Sequence, residues 1–237
     1  MRLRSTAVIR AALWDFGGVI STSPFEAFAR YEDELGLPHG FIRTVNATNP
    51  HDNAWARLER SELDPVGFAR VFEAEARAID TTGAAQRLDG ERVIALLAGE
   101  VRPRMVAALD SLRERGFKLA CLTNNINGAG DGDGDGDGER HQRVAAVMAR
   151  FDIVVESSKI GVRKPEPRFY EIACEQLSVE PAECVFLDDL GINLKPARAM
   201  GMATVKVGDP DEALRELGAI LGMTFAGADV DPMTNVT

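Results

Sequence analysis

Four short stretches carry residues able to do chemistry: Asp15 in LWDFGGVI, Thr123-Asn124 in CLTNN, Lys164 in GVRKPEP and Asp188-Asp189 in VFLDD. The runs ahead of Asp15, Thr123 and Asp188 are short and almost wholly apolar, as buried strands are, so each polar group is delivered at a strand end. A carboxylate there is costly unless it meets a cation or takes part in a reaction. Asp15 therefore reads as a nucleophile or a metal ligand, or else as an Asp that only shapes the Gly17-Gly18 turn. Asp15, Asp188 and Asp189, if gathered, would repel one another unless a cation sat among them. Oxygen-only ligands favour Mg²⁺, which readily shares its shell with water and a substrate phosphate. Thr123 and Asn124 offer a hydroxyl, an amide and backbone N–H groups to a phosphoryl oxygen. Lys164, in a proline-stiffened turn, offers a fixed positive charge. Each group alone has a plain structural reading as a cap, a solvated turn or a helix start. Their order at successive strand ends makes them a set.

The elements that must position this set follow from periodicity. An apolar strand is expected from about Ala7 to Phe16. From Pro24 to about Ala98 the texture turns helical: FEAFARYEDELG, NAWARLERSEL and PVGFARVFEAEARAI repeat apolar residues at three- and four-residue intervals. Asp64-Pro65 there has the form of an N-cap followed by a first-turn proline. After Arg102-Pro103, helices alternate with the strand-like runs FKLACLT, DIVVES, CVFLDD and ATVKV. That alternation calls for βαβ units and a mostly parallel sheet, whose ligands bind outside the carboxyl ends of the strands. The expected organisation is an α/β core from 1–22 and 99–225, a helical module at 23–98 and a flexible tail at 226–237. The alternating Gly-Asp tract at 130–138 reads as a flexible acidic insertion; it lacks the bidentate Glu and flanking helices of a calcium loop.

Bulk properties narrow the function. The chain has 237 residues, 45% hydrophobic, enough for a substantial core, and its net charge of −10 argues against a broad nucleic-acid or anionic-membrane surface. Cys121, Cys174 and Cys184 are odd in number and lack CxxC spacing, which suits reduced structural thiols and a cytoplasmic location. No apolar stretch reaches transmembrane length, so no stable membrane insertion is expected.

In order, WDFGG, LTNN, GVRKPEP and FLDD resemble the four motifs of the haloacid dehalogenase-like (HAD) hydrolase superfamily, most of whose members are magnesium-dependent phosphatases. The resemblance tightens, through VRPRMVAALDSLRERGFKLACLTNN, VESSKIGVRKPEPRFYEI and ECVFLDDLGINLKPARAMGMATVKV, to the N-terminal phosphatase domain of soluble epoxide hydrolase and its free-standing bacterial relatives. It implies a Rossmann-like core with the helical region as a mobile cap. It implies that Asp15 attacks phosphorus to form an aspartyl-phosphate. Mg²⁺ would be held by Asp15, the backbone carbonyl of Gly17 and Asp189, with Asp188 nearby. Thr123 and Asn124 would bind phosphoryl oxygens, Lys164 would neutralise charge, and Asn193 would orient the surrounding groups.

One departure stands out. Family phosphatases usually carry a second Asp, the general acid and base, at the position that is Gly17 here. Losing such help costs about 10²–10⁴-fold. His51, Glu26, a metal-bound water or a good leaving group are candidate substitutes. The expected function is a Mg²⁺-dependent phosphatase acting on a small phosphorylated metabolite or a phospholipid-like monoester. The alternatives are a phosphate-binding or regulatory protein without turnover and a metal-free dehalogenase. Epoxide hydrolysis is not expected, because no nucleophile elbow or second domain is visible. Phe25, Phe28, Phe41 and Trp55 have two readings, as the lining of an acyl tunnel or as the helical module's own core.

Overall fold

Four residues, AALW, form the innermost strand, β1 (Ala11–Trp14), and all four are buried on both faces of the sheet. In the computed structural model, residues 8–97, 99–125 and 137–225 are described. The expected strand residue Ala7, the bulk of the Gly-Asp tract (130–136) and the tail at 226–237 lie outside them. After β1 the chain enters α1 (Phe25–Leu35), α2 (Phe41–Ala47), α3 (Ala54–Glu59), α4 (Pro65–Ile79) and α5 (Gly90–Ala95). It then alternates: α6 (Pro103–Glu114), β2 (Lys118–Thr123), α7 (Asp137–Met148), β3 (Ile153–Glu156), α8 (Ser157–Ile160) and α9 (Pro167–Leu177). β4 (Cys184–Asp188), α10 (Gly191–Ala199), β5 (Ala203–Lys206) and α11 (Pro210–Leu221) complete the order.

The five strands lie in the order β3-β2-β1-β4-β5, and every pairing is parallel. This is a Rossmann-like α/β sheet. Alternation along β1 sends Ala12 and Trp14 to one face and Ala11 and Leu13 to the other. Met105, Leu109 and Leu112 of α6 and Leu214 and Leu217 of α11 cover the first face. Phe169, Tyr170 and Ala173 of α9 and Leu194 of α10 cover the second. Each such large apolar side chain stabilises the fold by about 1.5–3 kcal/mol when fully buried. That burial holds β1, β2 and β4 in register, so their carboxyl ends open on one edge.

β1 is shorter than the expected strand. The chain turns at Gly17-Gly18, where Gly18 takes φ +78°, and the turn closes when Ser21 N–H donates to the Phe16 carbonyl at 2.9 Å. Asp15 nonetheless stays attached to the sheet, its N–H donating to the Leu187 carbonyl at 2.9 Å.

The helices between β1 and β2 have a cluster of their own, with Phe28, Phe41, Ile42, Leu58, Phe68 and Phe72 buried together. α4 starts as its sequence demands: Asp64 Oδ1 accepts from Gly67 N–H at 2.7 Å, and Pro65 occupies the first turn. The chain leaves and returns side by side. Thr22 N–H donates to the Glu100 carbonyl and Arg102 N–H to the Ile20 carbonyl, both at 2.8 Å, around an antiparallel Ser21–Val101 bridge. Phe28 and Phe41 are buried in this cluster, and Trp55 and Phe25 pack against it, Trp55 lying 5.2 Å from the Phe68 ring. They belong to the helices' own core. Among the described residues no helix is long and apolar enough to cross a membrane, and Cys121, Cys174 and Cys184 are buried, free thiols.

Candidate active site

Three carboxylates and one ammonium meet at the carboxyl ends of β1 and β4. Lys164 Nζ lies 2.7 Å from Asp15 Oδ1 and 2.8 Å from Asp188 Oδ2, with Lys164 1% exposed and Asp188 fully buried. Asp15, Asp188 and Asp189 each turn one oxygen inward, and these oxygens lie within 4.8 Å of one another. The local sequence fixes each member. Asp15 Oδ1 also accepts from Phe16 N–H at 2.7 Å, in the manner of a turn-capping Asp. Asp188 Oδ1 accepts from Leu190 N–H at 2.8 Å, at the start of α10. Asn193 Nδ2 donates to both Asp188 oxygens, at 3.0 and 3.1 Å, and its own carbonyl accepts from Tyr170 Oη at 2.7 Å.

The charges do not balance. Three acids share one lysine in a desolvated space. Burial, with Asp188 and Asp189 nearby, pushes Asp15 up to about 8 despite the pull of Lys164. Burial and Asp188 push Asp189 up to about 6. Against the cost of burying a cation, Asp15 and Asp188 hold the Lys164 proton well above the usual lysine range. A site of oxygen donors with excess negative charge fits a hard divalent cation.

Gly18 is required beside that cluster. A Cβ there would stand 2.3 Å from Asp189 Oδ2, in addition to the strain of its positive φ. Gly17 differs: its φ of −73° and ψ of 127° suit any residue, and a Cβ would meet nothing within 4 Å.

Thr123 ends β2 and is 9% exposed. The side chain of the next residue, Asn124, is engaged with the neighbouring loop. Its Oδ1 accepts from Lys164 N–H at 2.9 Å, and its Nδ2 donates to the Lys164 carbonyl at 3.0 Å and to Glu59 Oε2 at 3.2 Å. The structure thus brings Asp15, Lys164, Asp188, Asp189 and Asn193 into direct contact or mutual reach, and ties Asn124 to Lys164. His51 is exposed, and the Glu26 side chain lies outside the described set.

Two residues at this edge escape the motif reading. Glu59, the last residue of α3, is 6% exposed, and Arg163, partly buried, precedes Lys164; the two form an ion pair. Arg163 Nη1 also donates to the Pro50 carbonyl at 3.0 Å. Both contacts join the α2–α3 region to the loop before α9. The available signal was an acid four residues after Trp55 and directly after Leu58, but six residues of helix are too few to show a period.

The haloacid dehalogenase-like hydrolase family model matches residues 9–201, which contain all of these groups. The chain belongs to that family. This hydrolase is 32% identical over 233 residues to bifunctional epoxide hydrolase 2 of Sus scrofa, covering 96% of the chain and 41% of the relative. The chain thus spans less than half the length of that relative. It is 26% identical over 219 residues to the sesquiterpene phosphatase astK of Aspergillus oryzae, covering 90% of the chain and 97% of the relative. Among solved structures, a HAD family enzyme of Bacteroides thetaiotaomicron, crystallised with magnesium and inorganic phosphate, shares the fold with a TM-score of 0.50. The identity is 18%, with 85% of this chain and 96% of that one covered.

Proposed function

We propose that this hydrolase is a Mg²⁺-dependent phosphatase that cleaves a small phosphate monoester through an aspartyl-phosphate on Asp15. The observation that carries the reading is the cluster of Asp15, Asp188 and Asp189 oxygens within 4.8 Å, with one lysine among them. Asp15, Asp189 and the Gly17 carbonyl would hold the ion, with Asp188 beside it. The bound ion supplies charge neutralisation for a phosphoryl group approaching a carboxylate. The phosphatase relative and the neighbour crystallised with magnesium and phosphate support the same assignment.

The chain's own residues do the rest. Lys164 keeps its proton and holds Asp15 Oδ1, leaving the other oxygen to attack phosphorus. The Thr123 hydroxyl and the Asn124 backbone N–H face the phosphoryl oxygens, since the Asn124 side chain is occupied by Lys164 and Glu59. Asn193 fixes the Asp188 carboxylate, and Tyr170 fixes Asn193. Phosphoryl transfer depends mostly on such positioning and electrostatics. The helices from α1 to α5 act as a cap that excludes water. Their aromatic residues fill their own core, which favours a compact phosphorylated metabolite over a long acyl chain.

The test is phosphate release from 4-nitrophenyl phosphate with and without Mg²⁺, by wild type and Asp15→Asn. Magnesium-dependent release that Asp15→Asn abolishes is expected; equal release by the two proteins sinks the reading. Gly17 motivates a second reading, a phosphate-binding protein without turnover. That protein would be stabilised by magnesium plus a phosphate analogue and would release no phosphate. A metal-free dehalogenase is disfavoured by the excess of three carboxylates over one ammonium.

A further inference from the structure

We propose that Glu59, carried by α3, gives a proton to the leaving oxygen and takes one from the attacking water, replacing the second acid that Gly17 cannot supply; this rests on the phosphatase reading. Glu59 stands over both loops that handle the phosphoryl group. Its Oε2 accepts from Asn124, the residue after Thr123, at 3.2 Å. It is paired with Arg163, the residue before Lys164, whose Nζ lies 2.7 Å from Asp15. The space above Gly17, where the usual acid would project, is open, with nothing within 4 Å of a built Cβ. That space leaves room for a leaving oxygen on the side where Glu59 touches Asn124 and Arg163.

The surroundings suit both protonation states. Facing Glu59 are the cations Arg163 and Lys164 from the loop before α9, neutral Asn124 from the end of β2, and the Trp55 indole from its own helix. On α4, Glu75 is turned to Ala54 N–H at 2.9 Å, and on α8 Lys159 pairs with Glu156. Burial pushes the Glu59 carboxyl above the usual glutamate range, while Arg163 and Lys164 restrain the rise. A carboxyl so placed can release a proton and persist as an anion against Arg163.

The chemistry balances in two steps. As the Asp15 oxygen bonds to phosphorus, the P–O bond to the leaving group breaks with its electron pair, and the Glu59 proton passes to that oxygen, releasing an alcohol. Water then attacks phosphorus and gives one proton to the Glu59 carboxylate. The Asp15–phosphorus bond breaks, returning Asp15 as carboxylate, the acid on Glu59 and hydrogen phosphate.

The experiment measures kcat/KM with Mg²⁺ for 4-nitrophenyl phosphate, whose leaving group needs no proton, and 2-phenylethyl phosphate, whose alkoxide does. Glu59→Gln is expected to lose about 10²-fold or more on the alkyl ester and under about tenfold on the aryl ester. Adding Gly17→Asp is expected to recover much of the alkyl activity. Equal losses on the two esters overturn the proposal, because a latch or packing role lowers both alike. If Glu59→Gln does not fold, Arg163→Gln carries the test. It keeps the carboxyl but removes the guanidinium, so the basic limb of the alkyl-ester pH profile should move up; an unmoved limb overturns the proposal. Absence of Asp15-dependent release from the aryl ester by wild type is a separate outcome, which overturns the phosphatase reading and this inference with it.

Discussion

Asn124 grips Lys164 by both sides of its backbone: Oδ1 accepts from the Lys164 N–H at 2.9 Å and Nδ2 donates to the Lys164 carbonyl at 3.0 Å. One amide thus fixes the strand end of β2 against the loop that aims the ammonium at Asp15. Asn124→Ala should cost about 1–3 kcal/mol, since it leaves these partly buried backbone groups and Glu59 short of partners. Asn124→Asp should lower activity further, because its second oxygen would face the Lys164 carbonyl and the Glu59 carboxylate. Urea melts and kcat of the two variants check this; an Asp variant as active as wild type would discredit the clamp.

The adjacent glycines should respond oppositely. Gly17→Ala has a favourable backbone conformation and free space, so its melting temperature should stay close to wild type. Gly18→Ala combines a positive φ, which costs about 1–2 kcal/mol, with a Cβ only 2.3 Å from Asp189 Oδ2. It should melt lower and lose most of its Mg²⁺-induced stabilisation, because Asp189 must move. Differential scanning fluorimetry with and without Mg²⁺ reads both effects. Equal behaviour of the two variants would show that Asp189 has no fixed place.

How much of this was legible in the sequence depends on range. The runs AALW, KLACLT and CVFLD announce buried strands by continuous hydrophobicity, so the places of Asp15, Thr123 and Asp188 follow from local signals. Lys164 was legible only as a cation in a stiff turn; that it bridges Asp15 and Asp188 depends on how α9 packs against the sheet. Asn124 carried an amide suited to a phosphoryl oxygen, and nothing local indicates that the Lys164 backbone takes both of its ends. Glu59 was hidden for another reason. It lies on a six-residue helix between loops, and its burial comes from the core loops pressed against it.

Lys164 also supports the fold. It is the ammonium that touches both Asp15 and Asp188, each of them buried. Breaking a buried ion pair from one side costs about 3–5 kcal/mol, because the remaining charge has no solvent. Lys164→Met should therefore lower stability by about that amount at neutral pH, besides removing activity. Lys164→Met combined with Asp188→Asn should be less destabilised than the sum of the two single changes. Denaturant unfolding in a double-mutant cycle measures the coupling, and strict additivity would refute it.

Acidity and metal should compete at this cluster. In the metal-free protein Asp189 is raised to about 6 and Asp15 to about 8, against 3.8 for an unperturbed Asp. Between the unfolded and folded values the native state binds more protons than the unfolded chain, so stability falls as pH rises. The contribution of these groups is fully present below about pH 3.8 and is lost as pH passes through about 6 and then about 8. A divalent cation removes the same repulsion, but only by displacing those protons. The increase in melting temperature caused by excess Mg²⁺ should therefore be small at pH 5 and grow steadily to pH 8. Asp189→Asn should flatten that growth, since it removes one titrating carboxylate and one ion ligand together. A magnesium effect equal at pH 5 and pH 8 in the wild-type protein would mean that the ion does not bind among these acids.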